Sequence, residues 1–377
     1  MRILMIIDGL PGGGAEKVVL TLCQGMQQMG HDVSLISLRD VCNYPIPAGI
    51  HYQVVADHSR SPWRKLTELS RRAAALDRAI ADNERQQGAY DLVFSNLHKT
   101  DRIVSCSKLL TSDRLWFCIH GILSTSYLGH RKGLDRWLKQ RKITQVYQGR
   151  NIVAVSQAVG NDLQQNLPIR PNRLAVINNP FDIAAIEQQA AEPCELAGKD
   201  YLVHVGRFHP HKRHDRLLKA YAQSGIQAPL ALIGTGSEAN VEEVKQLANQ
   251  LGIADRVLFL GFQANPYPFI RHASLLVLSS DSEGFGNVLV EALLCGTPVV
   301  STRCPGGPAE ILEKAGMDNA LAELNEKSLA EKMADIYANP PEINYQQLLS
   351  YGLEPICQQY LALKKINKAG DPCLIVN

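Results

Sequence analysis

Two glutamates bracket a glycine-containing turn in the stretch Ser279–Val300, SSDSEGFGNVLVEALLCGTPVV. Glu283 follows an apolar run typical of a buried parallel strand, and Glu291 lies two turns into the amphipathic helix that comes next. Ligands bind at the carboxyl ends of strands in an open α/β sheet, and the N–H groups of a helix start attract anions. The alternative is that Glu283 is an ordinary loop charge and Glu291 a solvated helix residue.

A cationic loop lies earlier in the same half of the chain. Arg207 and Lys212 lie in the loop after the predicted strand Tyr201–Val205, with Arg207 directly after Gly206. An Arg binds a diphosphate as a fork and a Lys binds it as a point charge. Carboxylates repel phosphates but accept hydrogen bonds from sugar hydroxyls, so the combined set indicates a ligand with both parts, a sugar nucleotide. Phe262, at the next glycine-containing edge, could also approach the nucleotide.

The first half of the chain has weaker signals of the same kind. The run Gly12-Gly13-Gly14-Ala15 joins a strand to a helix, which lets the backbone approach a phosphate, but it matches neither G-x-G-x-x-G nor a P-loop. His120 ends an apolar strand, where active-site groups collect. A tight turn and a histidine satisfied by backbone are the alternatives.

Residues 130–142 form a basic segment with six Lys or Arg against one Asp. Leu134, Trp137 and Leu138 follow at i, i+3 and i+4. A basic helix that carries Trp is typical of a membrane-surface anchor or a site for an anionic acceptor. The residues predicted to form that site are Arg131, Lys132, Arg136 and Trp137. A solvated helix with an ordinary core-facing stripe is the alternative.

Composition limits the class of protein. The chain has 377 residues, 45% of them hydrophobic, which supports two or three domains with large cores. No apolar run reaches the 18 residues that a membrane span needs, and the apolar start predicts a first strand. Nine cysteines without a C-x-x-C pair or metal-ligand spacing favour a reduced, cytoplasmic protein.

Charge is divided unevenly along the chain. Residues 1–180 carry 23 Lys and Arg against 14 Asp and Glu, whereas residues 181–377 carry 16 against 23. The basic half favours an anionic partner, and the acidic half argues against a nucleic-acid binder.

Strands and helices alternate throughout, which predicts doubly wound parallel sheets. The pattern restarts near residue 180, so we expect an N-terminal Rossmann-like domain over residues 1–180 and a second over 181–352. A helix at 353–365 is expected to return to the first domain. The predicted strands are 2–7, 33–38, 51–55, 92–95, 115–119, 152–156, 174–177, 201–205, 230–233, 257–260, 275–278 and 299–301.

In this order, these residues resemble the retaining glycosyltransferases of family 4, and among them the transferases of lipopolysaccharide core and other cell-envelope glycans. That family has the GT-B fold, in which two Rossmann-like domains face each other across a cleft. The resemblance runs from residue 2 to about 365 and rests on Gly12–Ala15, His120, Val155-Ser156, Asn179-Pro180, Val205–Arg207 with Lys212, Gly261-Phe262, the E-x7-E signature Glu283–Glu291, Gly296–Val300 and Gly306–Ile311.

The resemblance implies a role for each charged candidate. Arg207 and Lys212 would bind the donor diphosphate and stabilise the leaving group, the task that a divalent metal performs in other glycosyltransferases. Glu283 would hold hydroxyls of the transferred sugar, and Glu291 those of the ribose. His120 would reach the sugar ring by a hydrogen bond. No metal or other cofactor is expected.

The remaining donor contacts would come from backbone and an aromatic side chain. The N–H groups of Asn287, Val288 and Leu289 would face the phosphates. Gly13 and Gly14 would close on the donor from the N-terminal domain, together with Gly206 on the other side, and Phe262 would receive the base. Residues 313–320 lack the family's "GLLV"-like turn, and the tail 371–377 fits no family element.

The function thus predicted is transfer of a hexose or N-acetylhexosamine from a UDP-sugar to a cell-envelope glycan, with an α-linkage, at the inner face of the cytoplasmic membrane. A capsular, exopolysaccharide or other small-acceptor transferase of the same family is an alternative. So are a dinucleotide-dependent oxidoreductase, a non-catalytic sugar-nucleotide binder, and a metal-dependent enzyme that uses Asp281 and Glu283.

Overall fold

The computed structural model describes residues 1–59, 64–129 and 131–366. His130 of the basic segment and the tail 371–377 lie outside the described residues. The chain divides into an N-terminal unit, Met1–Pro180 with the segment from Leu353 onward, and a second unit, Phe181–Gly352.

The N-terminal unit is built on a seven-stranded parallel sheet in the order β3-β2-β1-β4-β5-β6-β7. Apart from the partly exposed edge strand β3, its strands are mostly buried apolar runs, as expected of a parallel sheet covered by helices on both faces. The strands are β1 Arg2–Ile7, β2 Asp32–Ser37, β3 His51–Val54, β4 Leu92–Asn96, β5 Leu115–Ile119, β6 Asn151–Ala154 and β7 Arg173–Val176. The helices are α1 Gly14–Gln28, α2 Arg64–Gln87, α3 His98–Val104, α4 Gly133–Tyr147 and α5 Gln157–Asn161, with π-helical turns at Ser124–Leu128 and Asp162–Asn166.

The second unit has a six-stranded parallel sheet in the order β10-β9-β8-β11-β12-β13. Its strands are β8 Leu202–Val205, β9 Leu230–Ile233, β10 Val257–Gly261, β11 Leu275–Leu278, β12 Val299–Thr302 and β13 Leu321–Ala322. Its helices are α6 Ile183–Ala190, α7 His214–Gln223, α8 Glu238–Gln250, α9 Tyr267–Arg271, α10 Asn287–Leu294, α11 Pro308–Lys314, α12 Glu326–Ala338 and α13 Tyr345–Leu348. Short 3₁₀ turns occur at Pro210–Lys212, Ala254–Arg256, Asp318–Ala320 and Leu349–Tyr351.

The last helix, α14 Leu353–Ile366, packs on the N-terminal unit. It approaches α1 at Gly25, where an added Cβ would lie 2.5 Å from Leu353 Cδ1. Tyr360 packs edge-on against Phe94, with ring centroids 5.2 Å apart. Lys364, near the end of α14, forms an ion pair of 2.6 Å with Asp91 of the N-terminal unit. The absence of a side chain at position 25 is what permits this close helix packing.

Two local features are seen only in the structure. Helix α6 begins at Ile183, because the Asp182 side chain accepts the Ala185 N–H at 3.1 Å and caps the helix there. Directly after the segment 313–320, which lacks the family's apolar turn, the chain forms a sixth strand, in which Leu321 pairs with Ser301 of β12. No helix among the described residues has both the length and the apolar character needed to cross a bilayer.

Candidate active site

In the second unit, the charged candidate residues lie where the order of the strands in the sheet reverses. β8 and β11 are neighbours in the sheet, although two strands separate them along the chain. The loop after β8 carries Gly206 to Lys212, and the loop after β11 carries Ser279 to Glu283. The carboxyl ends of strands at such a reversal form the usual ligand crevice of an open α/β sheet. The structure therefore brings the predicted cationic pair and the first glutamate to one edge.

Lys212 and Glu283 form an ion pair at the centre of this edge. Lys212 Nζ lies 2.6 Å from Glu283 Oε1, and the side chains are 27% and 14% exposed. The Ser280 hydroxyl donates to the same oxygen at 2.5 Å. The Glu283 backbone is held as well, because Gly306 has a φ of +131° and an added Cβ there would lie 1.7 Å from the Glu283 carbonyl oxygen. The carboxylate thus has a defined position before any ligand arrives.

Arg207 lies on the same loop with an exposed side chain. In the part of the chain that the structure describes, no ion pair engages its guanidinium, which leaves the fork accessible to an anion. Gly206 precedes it and packs over the buried His204, whose Nε2 would lie 3.2 Å from an added Cβ. Burial lowers the pKa of His204 to about 4, so this ring is neutral at pH 7 beneath the cationic loop.

Asp281 joins the two loops, a role that the sequence did not reveal. Its carboxylate accepts from Arg216 Nη2 at 2.6 Å and from Arg213 Nη1 at 3.0 Å. Its backbone N–H donates to the His211 carbonyl at 2.9 Å. Arg213 adopts the left-handed region with a φ of +52°, which these contacts hold in place. Asp281 thereby ties the β8 loop, and Lys212 with it, to the loop that carries Glu283.

The second glutamate, Glu291, lies on α10 and accepts from the hydroxyl of Tyr267 at 3.1 Å. Tyr267 is another contact that sequence spacing could not supply, since 24 residues separate the partners. The start of α10 has Gly286 at its N-cap with no side-chain cap. The N–H of Leu289, however, donates to the Gly286 carbonyl at 2.9 Å.

The predicted phosphate contact of the Leu289 N–H is therefore not supported, because this N–H is already hydrogen-bonded and the Leu289 side chain is buried. Asn287 and Val288 remain in the first turn of the helix. Phe262 follows β10 at the same sheet edge and is 71% exposed. Such exposure of a large aromatic side chain suits a stacking surface.

The N-terminal unit places His120 at the carboxyl end of β5. Its Nε2 lies 3.0 Å from Asn96 Oδ1, and Asn96 Nδ2 donates to the Ile6 and Phe94 carbonyls at 3.3 and 3.2 Å. These bonds orient the Asn96 amide, so the His120 proton belongs on Nε2 and the lone pair on Nδ1. Burial lowers the pKa of His120 to about 4. The ring is a neutral hydrogen-bond acceptor at pH 7.

The glycine turn lies at the β1 edge of the same sheet. Gly13 is the N-cap of α1 and Gly14 its first residue, and the helix start has no side-chain cap. The Gly13 carbonyl accepts from the Tyr44 hydroxyl at 3.1 Å. An added Cβ at Gly13 would meet the Glu16 carboxylate at 2.1 Å, so a larger residue would displace that side chain.

Helix α4 exposes the apolar residues of the basic segment. Leu134, Trp137 and Leu138 are 70%, 54% and 44% exposed, so the core-facing alternative is wrong. Arg131 and Lys132 are exposed beside them, and Arg136 is half-buried. A groove of about 330 Å³ runs along the helix, lined by Trp137, Gln140, Arg141, Thr144, Gln145 and Gln148.

Two family profiles match the chain in succession. The profile described as Glycosyltransferase Family 4 matches residues 12–185, and that described as Glycosyl transferases group 1 matches residues 186–352. The chain belongs to the glycosyltransferases. Arg207, Lys212, Glu283 and Glu291 all lie in the group 1 domain of this glycosyltransferase, and His120 and α4 lie in its family 4 domain.

Relatives and solved structures extend the comparison over nearly the whole chain. A Campylobacter jejuni protein, N-acetylgalactosamine-N,N'-diacetylbacillosaminyl-diphospho-undecaprenol 4-alpha-N-acetylgalactosaminyltransferase, is 28% identical over 310 residues, which cover 81% of this chain and 82% of that protein. The Escherichia coli lipopolysaccharide 1,6-galactosyltransferase is 31% identical over 165 residues, 41% of this chain and 45% of that protein. Anabaena HepE in complex with UDP has a TM-score of 0.70 at 23% identity, covering 98% of each chain. These likenesses confirm the predicted GT-B fold class.

Proposed function

We propose that this glycosyltransferase transfers a hexose or N-acetylhexosamine from a UDP-sugar to a cell-envelope glycan, with retention and an α-linkage. The acceptor would be lipopolysaccharide core or a lipid-linked oligosaccharide. The observation that carries the proposal is the Lys212–Glu283 pair of 2.6 Å where the strand order of the sheet reverses, in the same site as the exposed side chain of Arg207.

The cationic groups would act on the donor diphosphate. The Lys212 ammonium group has three N–H donors. One donates a hydrogen bond to Glu283, so two remain for phosphate oxygens. Arg207 would add a two-pronged contact. Negative charge grows on the diphosphate as the glycosidic bond breaks, and positive groups already in place stabilise that charge without reorganising. Arg207 and Lys212 would thus lower the barrier to departure of the nucleotide.

The carboxylates would orient the two polar ends of the donor. Glu283 shares Oε1 between Lys212 and Ser280, and its other oxygen would accept from hydroxyls of the transferred sugar. Glu291 would accept from the ribose hydroxyls. Phe262 would stack on the base. The first-turn amides of Asn287 and Val288 would face the phosphates.

The reaction would need no metal ion. Asp281, which with Glu283 imitates an acidic metal pair in the sequence, already has its carboxylate bound by Arg213 and Arg216. Positive charge for the leaving group is then the task of Arg207 and Lys212. Full activity in EDTA is the expected result, and a requirement for added Mg²⁺ or Mn²⁺ would overturn this part.

The family 4 domain would receive the acceptor. Its basic surface includes Arg131, Lys132 and Arg136, and the exposed Trp137 and Leu138 could enter the headgroup region of an anionic membrane. His120 would accept a hydrogen bond from the sugar, and Gly13 and Gly14 would lie against the donor. The names of the Campylobacter and Escherichia relatives support a lipid-linked or lipopolysaccharide acceptor. With such an acceptor, the enzyme would act at the inner face of the cytoplasmic membrane.

A donor panel tests the proposal. The full chain is incubated with UDP-, GDP-, ADP- and dTDP-sugars and candidate acceptors, and nucleoside-diphosphate release is measured with and without EDTA. We expect release from a UDP-hexose or UDP-N-acetylhexosamine that depends on a glycolipid acceptor. Preference for another nucleotide, or equal rates with small soluble acceptors, would contradict the donor or the acceptor assignment respectively.

A further inference from the structure

A buried tyrosine, Tyr267, forms a hydrogen bond with Glu291, one of the predicted donor-binding carboxylates. The Tyr267 hydroxyl donates to Glu291 Oε1 at 3.1 Å, across 24 residues of chain. Tyr267 is only 4% exposed, whereas Glu291 is half-buried on α10. We propose that Tyr267 is a positioning residue that orients Glu291 toward the ribose hydroxyls of the nucleotide. This inference rests on the proposed ribose contact of Glu291.

The tyrosine ring is itself held in place. Tyr267 begins α9, and its backbone N–H donates to Asn265 Oδ1 at 3.1 Å. The start of the helix therefore defines where the hydroxyl lies. A glutamate side chain has three rotatable bonds, and a hydrogen bond from a fixed phenol to one oxygen removes much of that freedom.

Other buried tyrosines of this domain use their hydroxyls differently. Tyr201 donates to the Phe269 carbonyl at 2.6 Å, and Tyr221 donates to the Ala228 carbonyl at 2.8 Å. Those bonds satisfy neutral backbone groups in the core. The bond from Tyr267 goes instead to a charged side chain at the ligand-binding edge. A partly exposed carboxylate could be satisfied by water, so this bond serves orientation more than burial.

The test compares Tyr267→Phe with Tyr221→Phe, which removes a hydroxyl of similar burial from the same domain. Binding of UDP, 2′-deoxy-UDP and 3′-deoxy-UDP is measured by titration calorimetry. We expect Tyr267→Phe to weaken UDP binding roughly five- to tenfold but to leave binding of at least one deoxy compound unchanged. Its preference for the ribonucleotide therefore falls. In turnover, KM for the donor rises by a similar factor and kcat stays constant.

The variant Glu291→Gln distinguishes a failure of the proposed ribose contact from a failure of the positioning role of Tyr267. If Glu291→Gln keeps the full preference for UDP over both deoxy compounds, the ribose assignment itself fails. If that preference falls in Glu291→Gln but not in Tyr267→Phe, the positioning role is overturned while the proposed function stands. An equal loss of preference in Tyr221→Phe would also overturn it, because a general loosening of the domain would then explain the effect. Equal unfolding temperatures of the two Tyr→Phe variants show that both fold.

Discussion

The predicted site residues of the two domains lie in different surroundings. In the group 1 domain, charged groups hold one another: Lys212 is paired with Glu283, and Asp281 is bound by two arginines. In the family 4 domain, His120 is neutral, and the basic helix α4 leaves its apolar residues exposed. The first set suits the anionic donor of the proposed function. The second suits the proposed contact with a membrane or a glycolipid acceptor.

The largest expected effect is on the group 1 edge. Replacing Lys212 by Ala removes a charge aimed at the leaving diphosphate, and kcat should fall by about 10²–10³-fold. Lys219→Ala is the control. Lys219 lies on the nearby helix α7 and pairs with Glu326 of α12 at 3.7 Å. Steady-state kinetics separates the outcomes: a rise in KM with kcat unchanged would mean that Lys212 only binds the donor.

A smaller effect should appear on α4 and leave the donor site untouched. Each basic residue near an anionic membrane contributes about 1 kcal/mol, so Arg131→Gln with Lys132→Gln should weaken vesicle binding by about 30-fold. Cosedimentation with vesicles that contain anionic lipid measures this, beside UDP titration. A matched variant, Lys108→Gln with Arg170→Gln, removes two exposed charges elsewhere in the domain. Equal loss in both variants would mean that total charge, and not α4, drives the contact.

Asp281 offers a way to loosen the interlocked edge without touching the proposed donor contacts. Asp281→Asn weakens the bonds from Arg213 and Arg216 that tether the β8 loop, and we expect kcat/KM to fall about tenfold. The melting temperature should fall by a few degrees, because about 1 kcal/mol shifts a domain of this size by roughly 2–4 °C. Asp255→Asn, at an exposed acidic residue of the same domain, is the control. A normal rate in Asp281→Asn would show that Lys212 needs no tether.

The smallest effect concerns pH. The folded-state pKa of His204 is lowered to about 4 by burial, below the unfolded value, so its contribution to stability is present above pH 6.5 and is lost as pH falls toward 4. His204→Asn keeps a donor for the Val277 carbonyl and removes the titrating ring. Calorimetric unfolding between pH 4 and 7 should then show a shallower loss of stability at low pH. An unchanged slope would assign that loss to other groups.

Local patterns in the sequence predicted most of the fold and part of the site. Sequence patterns located twelve of the strands, and most of these are apolar runs buried on both faces, which give a strong signal. The exception is β3, a partly exposed strand at the edge of its sheet. Arg207, Lys212 and Glu283 were found because each lies in the loop that follows such a run. Tyr267 and Asn96 were missed, and Asp281 was considered only as a metal ligand. Their partners lie 24 to 68 residues away, and only the folded chain brings them together.

Exposure was the other quantity that the sequence could not supply. The spacing of Leu134, Trp137 and Leu138 fits a core-facing stripe and an external surface equally well, and only the structure shows that they are exposed. The two-residue strand β13 is too short for any periodicity to reveal. The engaged N–H of Leu289 likewise depends on the geometry around Gly286, which no residue type predicts.

In the proposed reaction, Lys212, held by Glu283, assists departure of the diphosphate from a donor whose anomeric configuration is retained. The most direct measurement is the anomeric configuration of the first product formed from an α-linked UDP-sugar, read by proton NMR for the wild type and for Lys212→Ala. The account predicts an α-linked product from the wild type and a product rate about 10²–10³-fold lower from the variant. A β-linked product, or an undiminished rate in Lys212→Ala, would contradict it.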